Sequence, residues 1–257
     1  MKLIKGGGKM TRLRYAFASV RYHKKSGYLL FLFYCLILTL STFCLSLIQR
    51  QLNVIAAVKD RWNVFLQSFP SAKTSIFNQV QLWNKEVLKN YIFIGLFSIL
   101  FFLIVFLLVN FKIQSQRKRE IESLEFLGLK PYQMTLQFIL ELFLPLLYSF
   151  FTLITFALLF SNFFVSTINQ SNDYILNQHD ASMNKVALEV HSANQSQQAF
   201  LSFNQYSFLN VENHQTSLAE LQLYLALIGS FLIISFSSIL VSFISSFTYI
   251  HYLRKKI

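Results

Sequence analysis

YIFIGLFSILFFLIVFLLVNF, residues 91–111, decides the architecture: it contains no Asp, Glu, Lys or Arg. A helix needs about 20 consecutive apolar residues to cross the hydrocarbon core of a bilayer, and this stretch supplies them without interruption. Three further stretches meet the same criterion: GYLLFLFYCLILTLSTFCLSLI at 27–48, a longer run at 134–165 containing Glu141 and Pro145, and a Ser-, Phe- and Ile-rich run at 221–250. Composition agrees. Of 257 residues, 54% are hydrophobic and only 13% charged, against about 25% charged in a soluble domain. The mean hydropathy of +0.46 excludes a disordered chain. Seven Gly and three Pro are too few for sandwiches or barrels, which need frequent turns. The expectation is an all-α polytopic membrane protein with four transmembrane helices.

The first apolar stretch is not a cleavable signal peptide: it is too long, lacks a small-residue cleavage site and runs into Gln49, Arg50 and Gln51. Its two cysteines, Cys35 and Cys44, stand nine residues apart, about 13 Å along one helix, too far for a disulfide. They read as small apolar fillers, and no zinc or haem spacing exists.

Charge sets the orientation. Segments 1–26, 112–133 and 251–257 carry 16 Lys/Arg, whereas the longer segments 49–90 and 166–220 carry 7. The positive-inside rule therefore places both termini and 112–133 in the cytoplasm, with 49–90 and 166–220 outside. The net charge of +12 is thus topological and predicts no nucleic-acid partner.

Residues 10–25 put Leu13, Phe17 and Val20 on one helical face amid Arg12, Arg21, Lys24 and Lys25. The pattern fits an interfacial helix on the inner leaflet; a frayed basic tail is the alternative. In 49–90, Ile55, Val58, Trp62, Phe65 and Phe69 step by 3, 4, 3, 4, and Ile76, Val80, Trp83 and Val87 by 4, 3, 4, with Pro70 between. Such steps describe coiled-coil seams. They predict that spans 1 and 2 continue outward as a helical-hairpin stalk of about 30 Å, rather than as two amphipathic helices flat on the outer surface. The second outward segment, 166–220, is Asn-, Gln- and Ser-rich. Its stretches 185–190 and 199–208 suggest short strands or a small mixed cap, and His179, His191 and His214 are too irregularly spaced for a metal site.

The cytoplasmic segment QSQRKREIESLEFLGLKPYQM, residues 114–134, carries the functional signal. Residues 117–127 form a short charged amphipathic helix with Ile121, Leu124 and Leu127 on one side. Gly128 fits the C′ position, where φ is positive, and Pro131 the first turn of the next helix. A rigid helix lying across the membrane normal and cornered tightly into span 3 would pass any push straight into that span. Glu141, the acidic residue inside the spans, is positioned either to pair with a basic residue near the inner interface or to serve an ion. No Ser/His/Asp or paired-carboxylate signature of a hydrolase is present.

Arg119-Glu120-Ile121, then Leu124, then Phe126-Leu127-Gly128, resembles the cytoplasmic signature of FtsX/MacB-type ABC transporter permeases, and Glu141 matches an acidic position that often follows it. The four spans and basic N-terminus are similar to that layout. The resemblance implies two permease chains, identical or different, over a cytoplasmic ABC ATPase dimer. Nucleotide-driven closure would be transmitted to the outer segments rather than through a pore. It implies that Arg117, Arg119, Glu120, Ile121, Leu124, Leu127 and Gly128 form the ATPase-coupling element, in a plasma membrane of bacterial type. No Walker A pattern occurs here, so no cofactor is expected in this chain, and ATP and Mg would be bound by the partner. Where the family usually carries a large domain between spans 1 and 2, this chain has about 42 residues. That departure separates two expectations: export, extraction or detoxification of a peptide or lipid-linked substrate, or FtsX-like signalling to an extracytoplasmic protein such as a wall hydrolase.

Overall fold

Backbone hydrogen bonding along the apolar runs is closed within each segment, the only solution open to a single spanning segment in hydrocarbon. The computed structural model describes residues 8–68, 74–126, 128–177 and 216–254, and among them there is no strand. The helices are α1 (Gly8–Tyr22), α2 (Lys24–Ser68), α3 (Thr74–Gln116), α4 (Lys118–Phe126), α5 (Pro131–Leu159), α6 (Ser161–Asn177) and α7 (Thr216–Arg254). Four of them, α2, α3, α5 and α7, are long and apolar enough to cross a membrane. Both α2 and α3 run unbroken well past their apolar stretches, so the heptad-patterned residues 51–68 and 74–90 are helical. The corner at Pro70, Phe69, the strand candidates at 185–190 and 199–208, and the three histidines of 178–215 lie outside the described residues.

The helix over the third apolar stretch stops at Leu159 rather than 165; Phe160 is a bend and α6 opens at Ser161. Ser161 and Asn162 interrupt the apolar run, and such side chains compete for backbone partners and favour helix ends. The Ser161 hydroxyl bonds Glu220 Oε1 at 3.2 Å.

The chain divides into two compact units. The first comprises the described parts of Met1–Ser41, Phe97–Leu158 and Leu227–Ile257. Its core joins Leu30, Tyr34 and Leu38 of α2, Phe102 and Phe106 of α3, Leu142 and Leu146 of α5, and Ile234 and Val241 of α7. Lipid tails are as apolar as these side chains, so close packing and polar contacts must hold the helices together. Phe33 stacks on Phe102 with centroids 5.5 Å apart. The small buried serines of α7 admit amides from α3: Asn110 Nδ2 donates to Ser242 Oγ at 3.4 Å and Gln114 Nε2 to Ser246 Oγ at 2.8 Å. In α5, Pro145 removes the N–H that Glu141's carbonyl would receive.

Between α1 and α2 the chain bends at His23. Residues seven apart in a straight helix are separated by about 10 Å, yet a Cβ on Gly27 would stand 3.4 Å from Val20 Cγ1. Within α1 it is Ala16 that is fully buried, while Phe17 is half exposed.

The second unit comprises the described parts of Thr42–Leu96 and Leu159–Ala226. Leu47, Val87, Tyr91, Ile168 and Leu223 form its core, with Trp83 and Phe164 packed against it. Buried amides tie it further: Gln51 Nε2 donates to Asn84 Oδ1 at 2.9 Å, and Tyr91 OH to Asn172 Oδ1 at 2.9 Å.

Candidate functional site

The charged sequence between α3 and α5 folds as α4, nine residues long and capped at both sides of its corner. Gly128 takes φ 77°, and the N–H of Leu129 reaches back to the carbonyl of Leu124 at 3.3 Å. That is the long backbone bond of a Schellman-type C-cap, accompanied by the expected apolar pair of Leu124 and Leu129 on one cluster. Two residues on, α5 opens at Pro131. Lys130 donates its N–H to Gln133 Oε1 at 3.2 Å, while its carbonyl accepts from the Gln133 N–H at 2.9 Å. A Gln at the third helical position reaching back to the cap is half of a capping box. The corner is therefore fixed by local chemistry on each side.

Open space surrounds the Cβ position at Gly128, so a side chain there would strain only the backbone. Gly128→Val is expected to cost about 1–3 kcal/mol, whereas Gly128→Asn should cost less, because Asn visits the left-handed region with local support. Thermal unfolding of the two variants side by side checks this.

Three contacts seat α4. Ile121 is 1% exposed, packed with Met134 and Phe138 of α5 and Ile250 of α7. Arg117, in the turn between α3 and α4, forms an ion pair with Glu141 of α5; the two side chains are 9% and 5% exposed. Glu141 Oε1 also accepts from Gln137 Nε2 at 3.3 Å. On the other flank, His23 Nε2 lies 2.9 Å from Glu120 Oε1 at a half-exposed position, linking the α1–α2 bend to α4. A narrow pocket beside the buried pair is walled by His23, Ser26, Asn110, Gln114, Arg117 and Glu141. Gln114 Oε1, buried there, has no hydrogen-bond partner among the described residues, and the space suits about one water molecule.

The residues singled out in the sequence thus fall into three groups. Arg117, Ile121 and Leu124 face inward and hold α4 in place, and Glu141 joins them as the partner of Arg117. Arg119 and Gly128 are exposed, and Glu120 is half-exposed on its bond to His23. Leu127 lies outside the described residues. Of the proposed seam, Val58, Trp62 and Val87 are buried and Ile55 and Trp83 half-buried. Phe69 and the side chains of Phe65, Ile76 and Val80 lie outside what is described.

One residue of the quoted signature was given no role of its own by the sequence. Phe126, at the end of α4, is 87% exposed, beside exposed Arg119 and Ser123. Lys118 pairs with Glu122 one turn on, at 3.6 Å. The outer face of α4 thus presents an arginine, a hydroxyl and an aromatic ring in line. No protein-family model matches this sequence, and no curated protein or solved structure matches it either.

Proposed function

We propose that this chain is the membrane (permease) subunit of an ABC transporter, with α4 as the element on which a separate cytoplasmic ATPase acts. The observation that carries the reading is the division of α4 into two faces. Ile121 and Arg117 anchor its inner side to α5 and α7, while Phe126, Arg119 and Ser123 are left outward. A helix seated in this way moves with α5 when pushed. An exposed aromatic on one face with an arginine is the composition of an interface anchor. In this reading a second permease chain completes a dimer in the plasma membrane. ATP and Mg are bound by the partner ATPase, and the work is done on a peptide or lipid-linked substrate at the outer face. The unbroken α2 and α3 are the elements stiff enough to carry the stroke along their length.

A photocrosslinking amino acid placed at Phe126 in living cells tests the proposal. Capture of a soluble chain bearing a Walker A motif is the expected result; products confined to lipid or to this chain itself would sink it. Orientation has its own check. A cysteine at Ser123, in place of the exposed hydroxyl, should react with a membrane-impermeant maleimide only after the cells are opened. Labelling of intact cells would put α4 on the wrong side.

A further inference from the structure

The pocket beside the Arg117–Glu141 pair is also where α5 is broken. Glu141, Leu142 and Pro145 all line it. Proline has no N–H to give to the carbonyl one turn before it, so the Glu141 carbonyl loses its helical donor on the side of α5 that borders the cavity. Across the space stands Gln114 of α3. Its Nε2 donates to Ser245 and Ser246 of α7 at 3.3 and 2.8 Å, which leaves the amide oxygen on the other side. The Gln114 side chain is 2% exposed, and its Oε1 has no hydrogen-bond partner among the described residues. Two acceptors therefore border one cavity, and neither can donate to the other. Only a donor placed between them satisfies both.

We propose that a resident water molecule binds here and bridges α3 to the break in α5. It donates one hydrogen to Gln114 Oε1 and the other to the Glu141 carbonyl. In turn it accepts from the Arg117 guanidinium, which also lines the cavity and has N–H donors beyond the one given to Glu141. About three partners are usual for a buried water. Size agrees: the cavity offers about 20 Å³ to a water-sized sphere, and a single water needs roughly 10–15 Å³ on that measure. Carboxamide and carbonyl oxygens would also suit a hard cation, but the guanidinium on the same wall repels one. Placement gives the water a role. Before the break, Met134, Phe138 and Glu141 carry α4; after it, Leu146 and Phe150 belong to the core shared with α2, α3 and α7. Helices bend where a proline or an inserted water interrupts the backbone ladder. The water thus puts an exchangeable bond at the point where α5 can hinge, and this holds whatever acts on α4.

Radiolytic footprinting of the full chain in detergent micelles, with no ATPase present, tests the proposal. An X-ray pulse splits water into hydroxyl radicals, which label side chains touching an ordered water even where bulk solvent does not reach; mass spectrometry locates the labels. Phe138, Leu142 and Pro145 line the cavity and are buried, yet they should be labelled. Leu38 and Phe102, buried away from it, should not. Pro145→Ala returns an N–H to the Glu141 carbonyl and Gln114→Leu removes the other acceptor. Each should lower labelling of Phe138 and Leu142 by about fivefold, the weight of one hydrogen bond. Gln114→Leu also gives up two bonds to α7. Where it fails to fold, Pro145→Ala still decides, because alanine is the better helix former. Labelling of Phe138 and Leu142 no higher than that of Leu38 and Phe102 would overturn the proposal. So would labelling that Pro145→Ala leaves unchanged.

Discussion

Glu141→Leu is expected to destabilise the protein by about 3–5 kcal/mol, because it leaves the Arg117 guanidinium buried without its carboxylate. Removing both charges together, as Arg117→Met with Glu141→Leu, should recover most of that loss, since a well-packed apolar pair commonly equals or exceeds a buried ion pair. The two side chains are 9% and 5% exposed, so little solvent reaches either charge. The single replacements should also differ. Arg117→Met leaves the Glu141 carboxylate the Gln137 amide as a donor, whereas Glu141→Leu removes the one acceptor described for the guanidinium, so Arg117→Met should cost less than Glu141→Leu. Unfolding by SDS followed by circular dichroism gives the three values. Near-additive losses in the double variant would show that the two residues do not depend on each other. The double variant also isolates function. On the permease proposal it should fold and still bind the ATPase, and because the apolar seat of Ile121 and the α4–α5 corner remain, any activity it loses measures the share of the coupling carried by the ion pair.

The sequence makes the spans legible because length and the absence of charge are local properties; residues 91–111 need no neighbour to be read. The α4–α5 corner is legible for the same reason: Gly128 and Pro131 announce a C-cap and an N1 position from their own backbone preferences. What is not legible is the direction in which a side chain turns. The resemblance groups Arg117 with the coupling element, and Glu141 is expected to pair with some basic residue, but nothing in the sequence joins these two. Only because α3 runs on to Gln116 does Arg117 arrive at the buried Glu141, 24 residues away in sequence. Phe126 shows the opposite failure. Periodicity puts Ile121, Leu124 and Leu127 on one side and leaves Phe126 off it, but it does not say that nothing else covers the ring; the cluster around Ile121 is filled by Leu124 and Leu129, and Phe126 stays outside. The serines of α7 did carry a usable signal. Ser235, Ser238, Ser242 and Ser245 step by 3, 4, 3, a helical stripe that complements Asn110 and Gln114 one turn apart on α3.

Ile121→Asp and Phe126→Asp, five residues apart on one short helix, should have opposite consequences. Ile121 is 1% exposed against Met134, Phe138 and Ile250. A carboxylate placed there would be buried among apolar side chains, with the Arg117 guanidinium one turn back already held by Glu141, so the variant is expected to lose more than about 3 kcal/mol. Ile121→Ala, which removes volume without adding charge, should lose about 2–4 kcal/mol by leaving a cavity. Phe126 is 87% exposed and supports nothing, so Phe126→Asp should leave the unfolding curve where it was. On the permease proposal its effect falls on the partner: co-purification of the proposed ATPase should fall by about tenfold or more, the loss expected when the aromatic centre of an interface is replaced. Ile121→Asp should reduce co-purification as well, but together with stability and in proportion to it. If Phe126→Asp retains the ATPase at the wild-type level while Ile121→Asp releases it, the contact lies on the inner face of α4 and the two-faced division is wrong. If neither releases it, α4 is not an element on which a partner ATPase acts, and the proposed function fails.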